Sequence, residues 1–197
     1  MNPWDVIVIG AGVIGTSVAY NLAALGAKRI LVLERDQIGS GTTAQSSGIL
    51  RTHYSVLENM ALAQQSWAIF ENFDEHLQDD EASAGLVRCG YLIASPEGPK
   101  LAPLREALAA QRARGISVSH LTQSEAADIL PICRFDDAAL IGFEPNAGFA
   151  DAYLVASSYA RAARRLGVKF MEGERVTRLN LHQSCVSGVE TTSGVYS

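Results

Sequence analysis

Residues 6–15 read Val6-Ile7-Val8-Ile9-Gly10-Ala11-Gly12-Val13-Ile14-Gly15. Four apolar residues closing on a glycine predict a short strand buried on both faces. Beyond it, Ile14, Val18, Leu22 and Leu25 recur at helical spacing, the expected apolar stripe of a helix that Gly26 stops. Ile30-Leu31-Val32-Leu33 then predicts a second buried strand, closed by Glu34. Strand, helix and strand within about 30 residues make a βαβ unit with parallel strands and a right-handed crossover.

The glycines match G-x-G-x-x-G, a pattern that is weak alone and informative in this setting. A strand precedes it, a helix opens on it, and an acid ends the next strand at the expected distance. Gly10 permits the tight turn, Gly12 lets backbone approach a pyrophosphate, and Gly15 allows helix and strand to pack closely. The helix N-terminus offers free N–H groups and a positive dipole to phosphates. Glu34 can accept hydrogen bonds from both ribose hydroxyls and would repel a 2′-phosphate. The ligand implied is a dinucleotide with a free ribose 2′-hydroxyl.

The rest of the chain predicts a second kind of architecture between two parts of the first. Val56, Met60, Ala63, Trp67, Phe70, Phe73 and Leu77 form one stripe of a long amphipathic helix. From about residue 85, strand-like pieces (90–94 and 139–143) enclose a helix over 101–114 and another beginning at Thr122. Glu125 stands three residues after Thr122, which is a capping box. Asp151 is placed to cap a helix running to Leu166, followed by a strand at 168–171 and a β-meander from 176 onward.

With 197 residues, 48% hydrophobic and 19% charged, the composition is that of a folded globular chain. Its 16 Lys+Arg against 21 Asp+Glu leave a net charge of −5, so nucleic acid is not an expected partner. No apolar run approaches the roughly 18–20 residues of a membrane helix. Met1 to Asp5 lacks the positive start of a signal peptide, and a cytoplasmic location is expected. Cys89, Cys133 and Cys185 contain no C-x-x-C and are expected as buried or half-buried thiols. The four histidines are scattered, with no metal-ligand spacing.

FAD and NAD share the glycine fingerprint. A nicotinamide dehydrogenase usually continues with further βα units, whereas this chain has a loop of glycines and small hydroxylated residues, Gly39 to Gly48. Such backbone can lie along a long ligand, which favours FAD, the NAD-dependent reading remaining as an alternative.

At these residues the chain resembles the D-amino-acid oxidase-like flavoenzymes, nearest the branch of sarcosine oxidase, dimethylglycine dehydrogenase and proline dehydrogenase subunits. The resemblance lies in Asp5 to Gly15, Leu33-Glu34-Arg35, Gly41 to Tyr54, Gly90-Tyr91-Leu92 and Gly148 to Tyr153, and so spans nearly the whole chain. It implies an α/β fold: a Rossmann-like FAD-binding domain over residues 1–84 and 146–197, with an inserted α+β portion of a substrate domain over 85–145. Gly10, Gly12, Val13 and Ile14 would hold the pyrophosphate, and Glu34 and Arg35 the adenosine end. Thr42, Thr43, Ser46, Ser47, Gly48 and Ile49 would lie along the ribityl chain and flavin. Val176 would offer backbone groups to adenine. Arg51 falls where sarcosine oxidases place an arginine for the substrate carboxylate, a role suited to a planar guanidinium that stays charged in a dry pocket.

The implied activity is oxidation of the C–N bond of an amino acid or N-methyl amino acid by hydride transfer to flavin, with no catalytic acid or base required in this stretch. A small amino-acid substrate, and a homo-oligomer or partner subunit, are the expected partners. Gly48 departs from the family, where monomeric sarcosine oxidases carry a basic residue. Family members also run to about twice this length, so the chain is expected to be C-terminally incomplete, with a non-catalytic flavin-binding fragment as the alternative.

Overall fold

A computed structural model describes residues 4–197. Met1, Asn2 and Pro3, part of the segment read above for a signal peptide, lie outside the described residues. Along the chain the elements are β1 (Val6–Ile9), α1 (Val13–Ala24), β2 (Ile30–Leu33), a 3₁₀ turn (Thr42–Gln45), β3 (Ile49–Leu50), α2 (Leu57–Glu71) and α3 (Phe73–Leu77). Then follow β4 (Tyr91–Ser95), α4 (Leu101–Ala113), β5 (Ser119–His120), α5 (Gln123–Ile129), β6 (Leu140–Glu144) and β7 (Gly148–Phe149). The last are α6 (Ala152–Arg165), β8 (Lys169–Met171), β9 (Val176–His182), β10 (Cys185–Thr191) and β11 (Val195–Tyr196). The described residues group into two compact units: 4–48, 72–85 and 151–197 in the first, and 49–71 and 86–150 in the second.

The first unit is built on the parallel sheet β1-β2-β8, with β2 in the centre. All four residues of β2 are buried, as their continuous apolar run requires. Leu31 and Leu33 pack with Val189 of the antiparallel meander β9-β10-β11, joined by Ile7, Met171 and Tyr196. Alternation turns Ile30 and Val32 to the opposite face, the side on which α1 and α6 pack together. Helix α6 starts on the Asp151 cap, whose carboxylate accepts from the N–H groups of Tyr153 and Leu154 at 2.9 and 3.0 Å.

The buried face of α1 differs from the stripe read in the sequence. Thr16, Ala19 and Tyr20 are buried, whereas Ile14 is 77% and Leu25 86% exposed. Small residues set this: Ala19 of α1 and Ala156, Ala160 and Ala163 of α6 are fully buried, and the two helices pack closely together. The Tyr20 ring stands 5.6 Å from that of Tyr159, filling the end of the seam.

The second unit holds the antiparallel sheet β4-β6-β5 and the short pair β3-β7. Leu104 and Leu108 of α4 pack with Leu140 and Ile93. Ala126 of α5 packs with Phe135, Ile141 and Leu92. The Thr122–Glu125 capping box that starts α5 is formed in both directions.

The three cysteines are exposed, not buried or half-buried. Cys89 lies in the loop before β4, Cys133 in the turn after α5, and Cys185 at the open start of β10, none on a core face. Among the described residues no helix is long and apolar enough to cross a membrane, and no group of His, Cys, Asp and Glu could hold a metal ion.

Candidate functional site

A cleft of about 770 Å³ opens in the first unit at the ends of β1 and β2. That volume lies within the roughly 300–1,000 Å³ of small-molecule and cofactor sites. Gly10 turns the chain at φ +96°, a conformation that costs glycine little. A Cβ on Gly15 would overlap the Gly10 carbonyl oxygen, so that close approach of α1 to the strand end depends on glycine.

Two side chains brace the loop between them. Glu34 reaches back from the end of β2, and its Oε2 accepts from the Ala11 N–H at 2.7 Å. Its Oε1 accepts from the Asp36 N–H at 2.9 Å, so one carboxylate spans both turns at the strand ends. Thr43, in the 3₁₀ turn, accepts the Val13 N–H on Oγ1 at 3.0 Å. A Cβ on Gly12 would stand 2.9 Å from that same oxygen. The next two amides of α1, Ile14 and Gly15, meet no acceptor among the described residues, and both residues line the cleft. Free N–H groups at a helix start, with the dipole behind them, suit an anion such as a pyrophosphate.

Of the residues named from the sequence, Gly10, Gly12, Val13, Ile14, Glu34, Arg35, Thr42, Thr43, Ser46 and Val176 all line this cleft. Ser47 and Gly48 belong to the same unit but not to the cleft wall; the Gly48 N–H donates to Ser46 Oγ at 3.0 Å. Ile49 and Arg51 fall in the second unit. Glu174 and Arg175, which the sequence reading passed over, also line the cleft. Glu174 donates its N–H to the Glu34 carbonyl at 2.7 Å, and its carboxylate accepts from Ser193, whose bonds hold it below the usual carboxylate range. Only its place beside Val176 could have signalled it.

In the second unit, Arg51 lines a cavity of about 370 Å³ with Tyr54, Asn59, Ser66, Trp67 and Phe70. Its guanidinium stands 4.7 Å from the Tyr54 ring centre and 5.2 Å from that of Tyr91, a pair of cation–π contacts that fix the group without neutralising it. It also donates to the His53 carbonyl. Among the described residues it pairs with no carboxylate.

Beside it lies a buried polar cluster that sequence reasoning missed. Glu144 is 3% exposed and accepts the Thr52 N–H at 2.8 Å and the Thr52 hydroxyl on Oε1. His53 Nδ1 is 3.0 Å from Oε1 of the fully buried Gln111. Burial pushes His53 below the ordinary histidine value; the Gln111 bond opposes this, Arg51 adds to it, and Glu144 opposes it again.

The glycine turn, the braced loop and the unpartnered helix amides define a dinucleotide-binding α/β protein. The family model described as FAD dependent oxidoreductase matches residues 5–197, and the chain belongs to that family. Its cofactor is therefore FAD, and the donor set above fits one: amides for the phosphates and a carboxylate at the ribose position. FAD-dependent oxidoreductase domain-containing protein 1 of Bos taurus is 32% identical over 200 residues, covering 96% of this chain and 40% of its own length. Sarcosine oxidase subunit beta of an Arthrobacter species is 27% identical over 202 residues, covering 97% of this chain and 48% of its own. Among solved structures, L-proline dehydrogenase from P. horikoshii matches with a TM-score of 0.87 at 22% identity, over 99% of this chain and 50% of that one. The chain thus spans about half the length of these relatives.

Proposed function

We propose that this chain is the cofactor-holding part of an oxidoreductase acting on the C–N bond of an amino acid or N-methyl amino acid. FAD, when bound, supplies the hydride acceptor. The observation that carries the reading is the pair of unpartnered amides at Ile14 and Gly15, set beside a Glu34 carboxylate held by two backbone N–H groups. In this reading Gly10, Gly12, Val13, Ile14 and Thr43 hold the pyrophosphate. Glu34 and Arg35 hold the adenosine, and Val176 meets the adenine. Thr42, Ser46, Ser47, Gly48 and Ile49 follow the ribityl chain and flavin. Arg51 holds the substrate carboxylate: its guanidinium is fixed by two tyrosines and among the described residues pairs with no protein carboxylate, as suits such a clamp. Similarity to a sarcosine oxidase subunit beta supports both the substrate class and a partner subunit.

The test is reconstitution of the 197-residue chain with FAD, followed by titration with N-methylglycine and acetate while the flavin absorption is read. Saturable flavin perturbation is expected, with Arg51→Ala weakening it at least tenfold and leaving flavin bound. Failure to retain flavin would overturn the cofactor assignment; loss of flavin on Arg51→Ala would move that residue to the cofactor. A second reading, flavin binding without turnover, rests on the chain's spanning about half of its relatives. Reduction of an artificial acceptor by amino acids would exclude it.

A further inference from the structure

We propose that a second cavity in the second unit, floored by the His53 imidazole, binds an uncharged small molecule with an apolar body and a single N–H or O–H donor. The cavity, about 630 Å³, lies between the end of β4, the start of α4 and residues 53–55. It shares no lining residue with the Arg51 cavity. Ile93, Pro99, Pro103, Leu104 and Ala107 supply the apolar wall.

The floor is a built polar feature. His53 is 9% exposed, and its ring is held by Gln111 at 3.0 Å on Nδ1 and by the Tyr91 ring at 6.2 Å. With Gln111 Oε1 turned toward the ring, Nδ1 is the donor of that pair and Nε2 keeps its lone pair. Nε2 has no partner among the described residues, yet it is not sealed off as the Nε2 of His76 is. An accessible lone pair beside an apolar wall is open to a donor carried by a guest with an apolar body.

The charge around the ring selects the guest. Arg51 and Glu144 act on His53 with opposite sign, and burial favours the neutral imidazole. At the rim stand Glu97 and Lys100, again of opposite sign. No net charge faces the floor, so an ionic guest would lose its water without compensation. An aromatic N–H or phenolic O–H satisfies both wall and floor.

Indole and 1-methylindole share the same body and differ in the donor. Each is titrated into the isotope-labelled 197-residue chain while the His53 ring resonances are followed by NMR. Indole should shift them saturably, and 1-methylindole should bind at least tenfold more weakly. His53→Phe, which keeps the ring and removes Nε2, should abolish the difference between the probes. Equal affinities for the two probes at pH 7, or no saturable shift at His53, would overturn the proposal.

Discussion

Replacing Glu34 with glutamine tests the cleft at its most connected side chain. In the structure each carboxylate oxygen accepts one backbone N–H, from Ala11 at 2.7 Å and from Asp36 at 2.9 Å. Glutamine has one oxygen, so one of those amides would face an NH₂ group. Hydrogen bonds to charged groups contribute roughly 1.5–3 kcal/mol. The half-buried position argues for the lower part of that range, about 1.5–2 kcal/mol. For a chain of this size a kcal/mol moves Tm by about 2–4 °C, so a fall of about 3–8 °C is expected. The same carboxylate is assigned to the ribose hydroxyls. Loss of one charge-assisted bond there should raise the Kd for FAD by about tenfold to a hundredfold. Thermal unfolding by circular dichroism gives the first quantity and flavin fluorescence titration the second. A Tm within 1 °C of wild type together with a Kd within about threefold would show that Glu34 neither braces the loop nor meets the cofactor.

Gly15→Ala should abolish flavin retention and destabilise the chain by about 1–3 kcal/mol, because the new Cβ overlaps the Gly10 carbonyl; Gly194→Ala, outside the cleft and with nothing within 4 Å, is the control that should stay folded. Equal flavin retention by the two would show that α1 can shift freely. Ser184→Gly should raise the urea midpoint, since Ser184 sits at φ +66° in the β9–β10 hairpin and relief there is worth about 1 kcal/mol. A lowered midpoint would mean that the serine side chain contributes something the hairpin geometry does not show. His53, His76 and His120 are all held below the ordinary histidine value, chiefly by burial. Their folded-state values are depressed, so the unfolded chain takes up protons first as pH falls. The stability they contribute is complete above about pH 6.5 and declines as pH drops toward their folded values. Urea midpoints at pH 7, 6 and 5 should fall in that order, and His76→Phe should flatten the decline; a rising series would reverse the sign argued here.

The parts of the fold that were legible in the sequence are those fixed by local chemistry. Strands β1 and β2, the caps at Thr122 and Asp151, and the glycine after α4 each act within a few residues, and the elements follow them closely. Where tertiary packing chooses between alternatives, the pattern misleads. Helix α1 is apolar on two sides, and periodicity picked Ile14, Val18, Leu22 and Leu25, whereas packing against α6 buries Thr16, Ala19 and Tyr20. The stripe from Val56 to Leu77 runs through a break at Asn72, whose φ of −129° and ψ of 51° separate α2 from α3. Spacings of three and four persist across that break, so they cannot reveal it. Strands β3 and β7 have two residues each, too few for any alternation.

The cleft was legible for a related reason: backbone amides and a carboxylate at fixed sequence distances make it. The cluster of Thr52, His53, Gln111 and Glu144 was not. His53 reads as a cavity or core residue beside Arg51, but nothing local marks Thr52, Gln111 or Glu144 as its companions, and only partners up to 92 positions apart justify burying them. Glu174 was missed for the same cause, since its carboxylate is explained by Ser193 across a turn of the meander.

The position of β1 has a consequence for how the cofactor and the fold depend on one another. Its backbone is paired on one side by β2, and among the described residues no strand pairs the other. The turn that begins the phosphate cradle therefore hangs from an edge strand of the sheet β1-β2-β8. A ligand that grips the Gly10–Gly15 turn would fasten that rim in place, adding stability that grows with the logarithm of its concentration. Loading with FAD is then partly the last act of folding. Amide exchange in β1 of the 197-residue chain should slow on loading more than in β2.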